Sequence, residues 1–266
     1  MKAVRSAWRL LKLVALLLVL AVDCLVRPPR DTVEGAERIH RFCHRIVRAL
    51  GVSWSVEGEL PAEGAVVSNH LSYLDILLYA AVRPFVMVAK SDVRGWPLIG
   101  WLTSRAGTVY VVRGGGPGTY PGVNRAMAEA YRSGLPVLFY PEGTTTDGSE
   151  VLPFRRGLFH SVLNEGVALR TAALAYSIDG DVGDVTVADD VCWWGDALLA
   201  PHLWRLAGID GLRATVRFGE VVTERRDRFE LSEQARARVQ EMYAELRSEA
   251  GGVVVEAQES ELVQAV

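Results

Sequence analysis

Two short segments hold the residues that could do chemistry. The first is Val66-Val-Ser-Asn-His-Leu-Ser-Tyr-Leu-Asp75. Asn69-His70 follows an apolar, β-rich run, and Asp75 comes five residues after His70 at the start of an apolar helical stretch. In one continuous helix a gap of five leaves an offset of about 140°, so a helix alone would hold the two side chains apart. With His70 in a turn, the chain can fold back and set the carboxylate against the imidazole. A carboxylate on one ring nitrogen fixes the tautomer, raises the basicity and leaves the other nitrogen to accept a proton. That is equipment for deprotonating an alcohol. The alternative is structural, with His70 capping a strand end and Asp75 capping a helix.

The second segment, Tyr140-Pro-Glu-Gly-Thr-Thr-Thr-Asp-Gly148, follows another apolar strand, Leu135–Tyr140. A Glu-Gly-Thr turn after a strand offers backbone N–H groups and a carboxylate in one place. Between the two segments lie Lys90, Pro97, Gly100, Gly107 and Arg113, the last ending a β-rich run. Strand-end positions suit an open α/β sheet, whose ligands bind beyond the carboxyl ends of its strands.

The elements that would position these residues alternate. β-rich runs occur at Ala65–Ser68, Phe85–Ala89, Thr108–Val112, Val137–Tyr140, Thr171–Tyr176 and Ala214–Phe218. Helical stretches at Asp75–Val82, Gly122–Ser133 and Leu158–Asn164 lie between them. The expected fold is α/β, a mixed sheet flanked by helices, with an N-terminal helical membrane-anchoring hairpin. Ser232–Ala250 reads as a closing helix, with Gly251-Gly252 expected to break it. The chain thus divides into an N-terminal two-helix segment (1–50), an α/β domain (51–250) and a C-terminal tail (251–266). Gly114-Gly-Gly-Pro-Gly118 reads as a flexible loop. It is not a dinucleotide fingerprint, because the sixth position of GxGxxG falls on Thr119. No GxSxG or GxxxxGK[ST] occurs, which weakens serine-hydrolase and P-loop readings.

The 266 residues are half apolar and 23% charged, a folded composition. The net charge of −3 argues against a general nucleic-acid binder. The first fifty residues hold ten Lys/Arg against four Asp/Glu, a local +6 that leaves −9 on the rest. A basic leader on an acidic body points to an anionic surface, with membrane the first candidate. Three cysteines (Cys24, Cys43, Cys192) without a CxxC pair suggest a reducing compartment, with neither a disulfide framework nor a zinc site.

Leu13–Val22 is ten unbroken apolar residues, roughly 15 Å of helix and about half of a bilayer core. No small-x-small cleavage site follows it, and Asp23 spoils a lipoprotein site, so the run reads as a retained anchor. Lys2, Arg5, Arg9 and Lys12 form one helical stripe. Pro28-Pro29 ends this element, and a second helix is expected from Thr32 to Leu50. Its apolar set (Ile39, Phe42, Cys43, Ile46, Val47, Leu50) lies beside a basic set (Arg38, Arg41, Arg45, Arg48). Either that apolar face meets lipid or it packs on the body. His40 and His44 have metal-ligand spacing, but no acidic residue completes a site on their face.

Taken together, these segments resemble the glycerolipid acyltransferases, the superfamily of 1-acylglycerol-3-phosphate O-acyltransferase. The family's NHxxxxD block is matched by Asn69, His70 and Asp75. Its block from a Lys through Pro, Gly and Gly to an Arg is matched by Lys90, Pro97, Gly100, Gly107 and Arg113. Its aromatic-Pro-Glu-Gly-Thr turn is matched by Tyr140–Thr144. The order and spacing agree over roughly residues 55–180. Two departures stand out. Thr145 occupies the place where the glycerol-phosphate enzymes commonly carry an Arg, and Thr171-Ala-Ala-Leu174 lacks the Pro usual in the fourth block. The variant turn followed by Leu152-Pro-Phe-Arg-Arg-Gly-Leu-Phe159 is similar to the subgroup that acylates lyso-ornithine lipid and to some lysophospholipid enzymes.

The resemblance implies acyl transfer from acyl-CoA or acyl carrier protein to the hydroxyl of a lysolipid such as 1-acylglycerol-3-phosphate, in phospholipid biosynthesis, with lyso-ornithine lipid or another lysolipid as the alternative acceptor and with no metal and no resident cofactor. His70 would be general base and Asp75 its orienting partner. Lys90 and backbone N–H groups around Gly143 would be candidates to hold the oxyanion, and Thr144 would belong to the substrate-binding turn. Arg113 would bind an acceptor phosphate or carboxylate, and Arg155 or Arg156 could stand in for the Arg absent after Gly143-Thr144. Glu142 would bind the acceptor or brace the turn. The partners would be the lipid acceptor, the acyl donor and the membrane surface, at the cytoplasmic face. Two other readings remain, a catalytically silent lipid-binding protein and a thioesterase or transacylase using the same His70.

Overall fold

The computed structural model describes residues 1–112, 120–180, 183–223 and 227–264. Arg113 and the Gly114–Gly118 stretch therefore lie outside the described residues. Two helices, α1 (Lys2–Val26) and α2 (Thr32–Ala49), precede a sheet whose strands are β1 (Ser53–Glu57), β2 (Ala65–Ser68), β3 (Val86–Lys90), β4 (Val109–Val111), β5 (Val137–Phe139), β6 (Leu169–Ile178) and β7 (Leu212–Val221). The remaining helices are α3 (Tyr73–Val82), α4 (Ile99–Arg105), α5 (Tyr120–Arg132), α6 (Phe159–Glu165), α7 (Leu199–Gly208) and α8 (Arg228–Gln264).

Among the described residues the sheet has seven strands in the order β1-β7-β6-β2-β5-β3-β4. The pairs are parallel except β6 with β7. Strands β2 and β5 are buried along their whole length. Their sequences (Ala-Val-Val-Ser and Val-Leu-Phe) are therefore continuous apolar runs instead of alternations, as a parallel strand covered on both faces requires.

β7 shows which helix covers which face. Phe218 meets Tyr79 of α3, whereas Arg217 bonds Glu245 and Glu249 of α8. Successive strand residues point to opposite faces, so α3 and α8 cover opposite sides of the sheet. The buried stripe of α8 is Leu231, Ala235, Val239, Tyr243 and Leu246, spaced at four and three residues. The backbone of α8 runs on through Gly251 and Gly252, where the sequence led us to expect a break and a tail.

α2 resolves the choice its sequence left open. Phe42, Cys43, Ile46, Val47 and Leu50 are buried, and α2 packs against α3. Its apolar face is core and does not meet lipid. Gly35 permits the close approach of α4, since a Cβ there would stand 2.1 Å from the Arg105 carbonyl oxygen. Arg38 is not part of a cationic surface either. It is buried, ties α2 to α1 through Asp23 and the Arg27 carbonyl, and pairs within α2 with Glu34. On α1, Arg5 pairs with Asp210, and Arg9 donates to the Ala207 and Ile209 carbonyls at the end of α7. Half of the N-terminal basic stripe is thus spent on holding the helix to the body. His40 Nδ1 lies 2.8 Å from the Ala80 carbonyl, and His44 meets Trp54 edge-on.

Candidate active site

The carboxyl ends of β2 and β5, parallel neighbours in the sheet, release the two chemistry-bearing loops side by side. Asn69 ends β2 by imitating a strand. Its side-chain oxygen accepts from the Leu174 N–H and its amide donates to the Leu174 carbonyl, both at 2.9 Å. This continues the pairing of β2 with β6 by one residue while the backbone turns away.

His70 follows in that turn, and the chain folds back as the five-residue gap requires. His70 Nδ1 and Asp75 Oδ2 are 2.8 Å apart. The same oxygen accepts from the backbone N–H groups of Leu71 (2.6 Å) and Ser72 (3.0 Å). Oδ1 accepts from the Tyr176 hydroxyl at 2.6 Å. Four donors converge on one fully buried carboxylate, which suits its acceptor-only ionised form. Nδ1 is then the protonated ring nitrogen, and Nε2 carries the lone pair. Nε2 has no partner among the described residues. The imidazole plane is fixed from below by the Tyr140 ring, stacked at 3.9 Å with a 12° interplanar angle. Burial, first, and the nearby Asp75 charge push the Tyr176 and Tyr140 phenols well above their ordinary range, so Tyr176 is a donor to Asp75 at any working pH.

Glu142 connects the two loops. Oε1 accepts from the His70 N–H and Oε2 from the Leu152 N–H, each at 2.7 Å. The residue is 3% exposed. Both oxygens face inward and are used, so Glu142 braces the turn and is not open to an acceptor. Burial raises its pKa to about 7 against the pull of those two N–H groups. Thr146 N–H closes the arrangement on the His70 carbonyl at 3.1 Å.

The remaining expected residues fare differently. Gly143 sits at φ +73°, a conformation glycine adopts without strain, and its N–H is committed to the Tyr140 carbonyl. It is therefore not available to an oxyanion. The N–H groups of Thr144 and Thr145 carry no partner among the described residues, and the Thr144 side chain is exposed. Lys90 ends β3 and pairs with Asp92, and no described contact joins it to the His70 loop. Arg113 lies outside the described residues.

Sequence reasoning missed the contributions of Tyr176 and Leu174, both from β6. It also missed a buried contact at the start of α3. His202 Nε2 is 3.0 Å from the Cys192 carbonyl, which can only accept, so Nε2 carries the proton and Nδ1 receives the Tyr73 hydroxyl at 3.0 Å. Trp193 N–H donates to the Leu71 carbonyl. The segment leading into α7 is thereby pinned to the start of α3 and to the His70 turn.

The chain resembles known proteins along most of its length. A family model described as Acyltransferase matches residues 32–175. A lyso-ornithine lipid O-acyltransferase of Pseudomonas aeruginosa is 37% identical over 88% of this chain and 90% of that protein. A 1-acyl-sn-glycerol-3-phosphate acyltransferase of Neisseria gonorrhoeae is 32% identical over 70% of this chain and 72% of that protein. Among solved structures, the 1-acyl-sn-glycerophosphate acyltransferase PlsC of Thermotoga maritima superposes with a TM-score of 0.63 at 21% identity, covering 93% of this chain and 98% of that one, a likeness of fold. With its family model spanning more than half the sequence and relatives above 30% identity along most of their length, the chain belongs to the acyltransferase family.

Proposed function

We propose that this enzyme transfers a fatty acyl group from a thioester, acyl-CoA or acyl carrier protein, to the free hydroxyl of a lysolipid. The observation that carries the reading is the His70–Asp75 pair with Nε2 unengaged. Nε2 takes the hydroxyl proton as the alcohol oxygen attacks the thioester carbonyl, and Asp75 holds the ring and stabilises the imidazolium that forms. The tetrahedral intermediate collapses with expulsion of the thiolate, which recovers the proton. Base catalysis of this kind is worth roughly 10²–10⁴-fold. No enzyme nucleophile is required. The unpartnered N–H groups of Thr144 and Thr145 are better suited to the oxyanion than Gly143 or Lys90.

The relatives named above act on lyso-ornithine lipid and on 1-acylglycerol-3-phosphate, and the acceptor proposed here is a lysolipid of that kind. Thr145 in place of a second cation favours an acceptor of lower charge than a phosphate monoester.

The lipid acceptor requires contact with a membrane, and α1 is built for it. No helix among the described residues is long and apolar enough to cross one. At 100° per residue, the buried Ser6, Leu13, Leu20 and Cys24 lie on one side of α1. Val4, Trp8, Leu11, Leu18, Val22 and Leu25 lie on the opposite side, each more than half exposed. A helix apolar on both sides needs cover on both, and an uncovered stripe of this kind marks an interaction surface. α1 therefore lies in the interface with this stripe in lipid. The reading places the enzyme on the cytoplasmic face, where its three unpaired thiols stay reduced.

Purified protein assayed with one acyl-CoA and a panel of lysolipids tests the function. Acylation that depends on His70 supports it. Thiol release at the same rate without any lysolipid would show a thioesterase instead.

A further inference from the structure

Four arginines surround the turn after β5, and three of them are engaged. Arg156 pairs with Glu233 at 3.3 Å and lies 4.5 Å over the Phe229 ring. Arg236 donates to the Leu152 and Val151 carbonyls at 3.0 and 2.8 Å. Arg247 donates to the Gly148 and Ser149 carbonyls at 2.9 and 3.2 Å. Arg155 differs. Its backbone N–H is fixed on the Pro141 carbonyl at 2.8 Å, which sets the start of its side chain against the turn. Its guanidinium then lies across Gly143, where a Cβ would stand 2.7 Å from Nε and 3.0 Å from Cζ. No carboxylate, carbonyl or ring among the described residues engages it, and the side chain is exposed.

The location gives this cation its meaning. Gly143 is the neighbour of Glu142, whose carboxylate holds the His70 N–H. Arg155 is therefore one residue removed from the brace of the general base, on a body that is strongly acidic beyond residue 50. A lysolipid whose hydroxyl lies on His70 Nε2 carries its anionic group only a few bonds away. A guanidinium presents two parallel N–H donors to the paired oxygens of either a carboxylate or a phosphate.

We propose that Arg155 binds the anionic group of the lysolipid acceptor, carboxylate or phosphate, while the hydroxyl of that acceptor lies on His70. This rests on the acyl-transfer reading above. The test is steady-state kinetics of wild type, Arg155→Ala, Arg155→Lys and Arg156→Ala with lyso-ornithine lipid and with lysophosphatidate, varying acceptor and acyl-CoA in turn. Arg155→Ala should raise the acceptor KM about 10- to 100-fold and leave kcat and the acyl-CoA KM near wild type. Arg155→Lys should recover part of the loss and Arg156→Ala should match wild type. The acceptor that suffers more identifies the anion bound. An active wild type whose acceptor KM is indifferent to Arg155→Ala overturns the assignment, as does a rise confined to acyl-CoA, which would place the guanidinium on a donor phosphate. A wild type that acylates neither lysolipid instead overturns the acyl-transfer reading itself.

Discussion

The Tyr176 hydroxyl donates to Oδ1 of Asp75, the carboxylate oxygen that His70 does not use. The two donors approach from different elements, β6 and the turn after β2, and the buried carboxylate is shared between them. Tyr176 is thus a positioning residue. Tyr176→Phe leaves Oδ1 buried without a donor, which costs about 1–3 kcal/mol where no water replaces it. The expected result is a kcat about tenfold lower, with the acceptor KM little changed and the acid limb of the pH–rate profile displaced. A profile that overlays wild type would mean that Tyr176 only fills space.

Removing the imidazole should abolish transfer without unfolding the chain. Its loss takes away proton acceptance and one stacking contact, while Asn69, Glu142 and Thr146 still hold the loop. Asp75→Asn should be milder, about 10- to 1,000-fold in kcat. An Asn can keep its oxygen on the Oδ2 side, where His70, Leu71 and Ser72 donate, and turn its amide towards Tyr176. Equal rates for wild type and His70→Ala would sink the mechanism.

How much of this was legible in the sequence depended on how far apart the partners lie. His70 and Asp75 share one ten-residue segment, so residue type and spacing sufficed to bring them together. Tyr176 is 101 residues from Asp75 and reads as one more aromatic in an apolar strand, so nothing local marks it. The strands of the sheet centre were readable because burial on both faces gives uninterrupted apolar runs. The edge strand β1 (Ser-Trp-Ser-Val-Glu) is half polar and was missed, and so was α7, whose first turn contains Pro201. The apolar face of α2 shows the opposite failure. Periodicity finds such a face but does not say whether protein or lipid covers it, and here α3 does.

Glu142 should leave a mark on stability against pH. Its ordinary value of 4.5 is raised to about 7 in the fold, chiefly by burial. Between those values the folded chain holds a proton that the unfolded chain has released. Stability therefore falls as pH rises through this window and levels off above about 7. The full window corresponds to about 3 kcal/mol. Urea midpoints of wild type and Glu142→Gln, measured from about pH 4.5 to 8, should diverge in slope across it. Parallel curves would rule the effect out.

The α1 stripe predicts the mode of membrane contact. Leu11→Glu with Leu18→Glu places two charges in the centre of the exposed face, where neither side chain touches the core. Co-sedimentation with anionic lipid vesicles should fall at least tenfold while the far-ultraviolet dichroism stays unchanged. High salt should release little of the wild type, because Arg5 and Arg9 are tied to Asp210 and the end of α7 and are not spread on lipid. Salt-sensitive binding that ignores the double substitution would assign the contact to charge instead.

The acceptor preference gives the last prediction. Thr145 lies two residues after Gly143, and the Arg155 guanidinium already lies across that glycine. A phosphate monoester carries close to two negative charges at neutral pH, whereas a carboxylate carries one. Among the described residues around the turn a single guanidinium is free, and it matches the second better. Wild type should therefore not prefer lysophosphatidate over lyso-ornithine lipid. Thr145→Arg would set a second cation beside the first and add one charge-assisted contact to a phosphate, worth about 1–3 kcal/mol. The ratio of kcat/KM values for the two acceptors should then move towards lysophosphatidate by roughly 5- to 100-fold, and Arg155→Ala in that background should undo part of the shift. Competition between the two lysolipids in one reaction reads the ratio directly. A strong lysophosphatidate preference in wild type, unmoved by Thr145→Arg, would mean that a residue other than these two holds the phosphate.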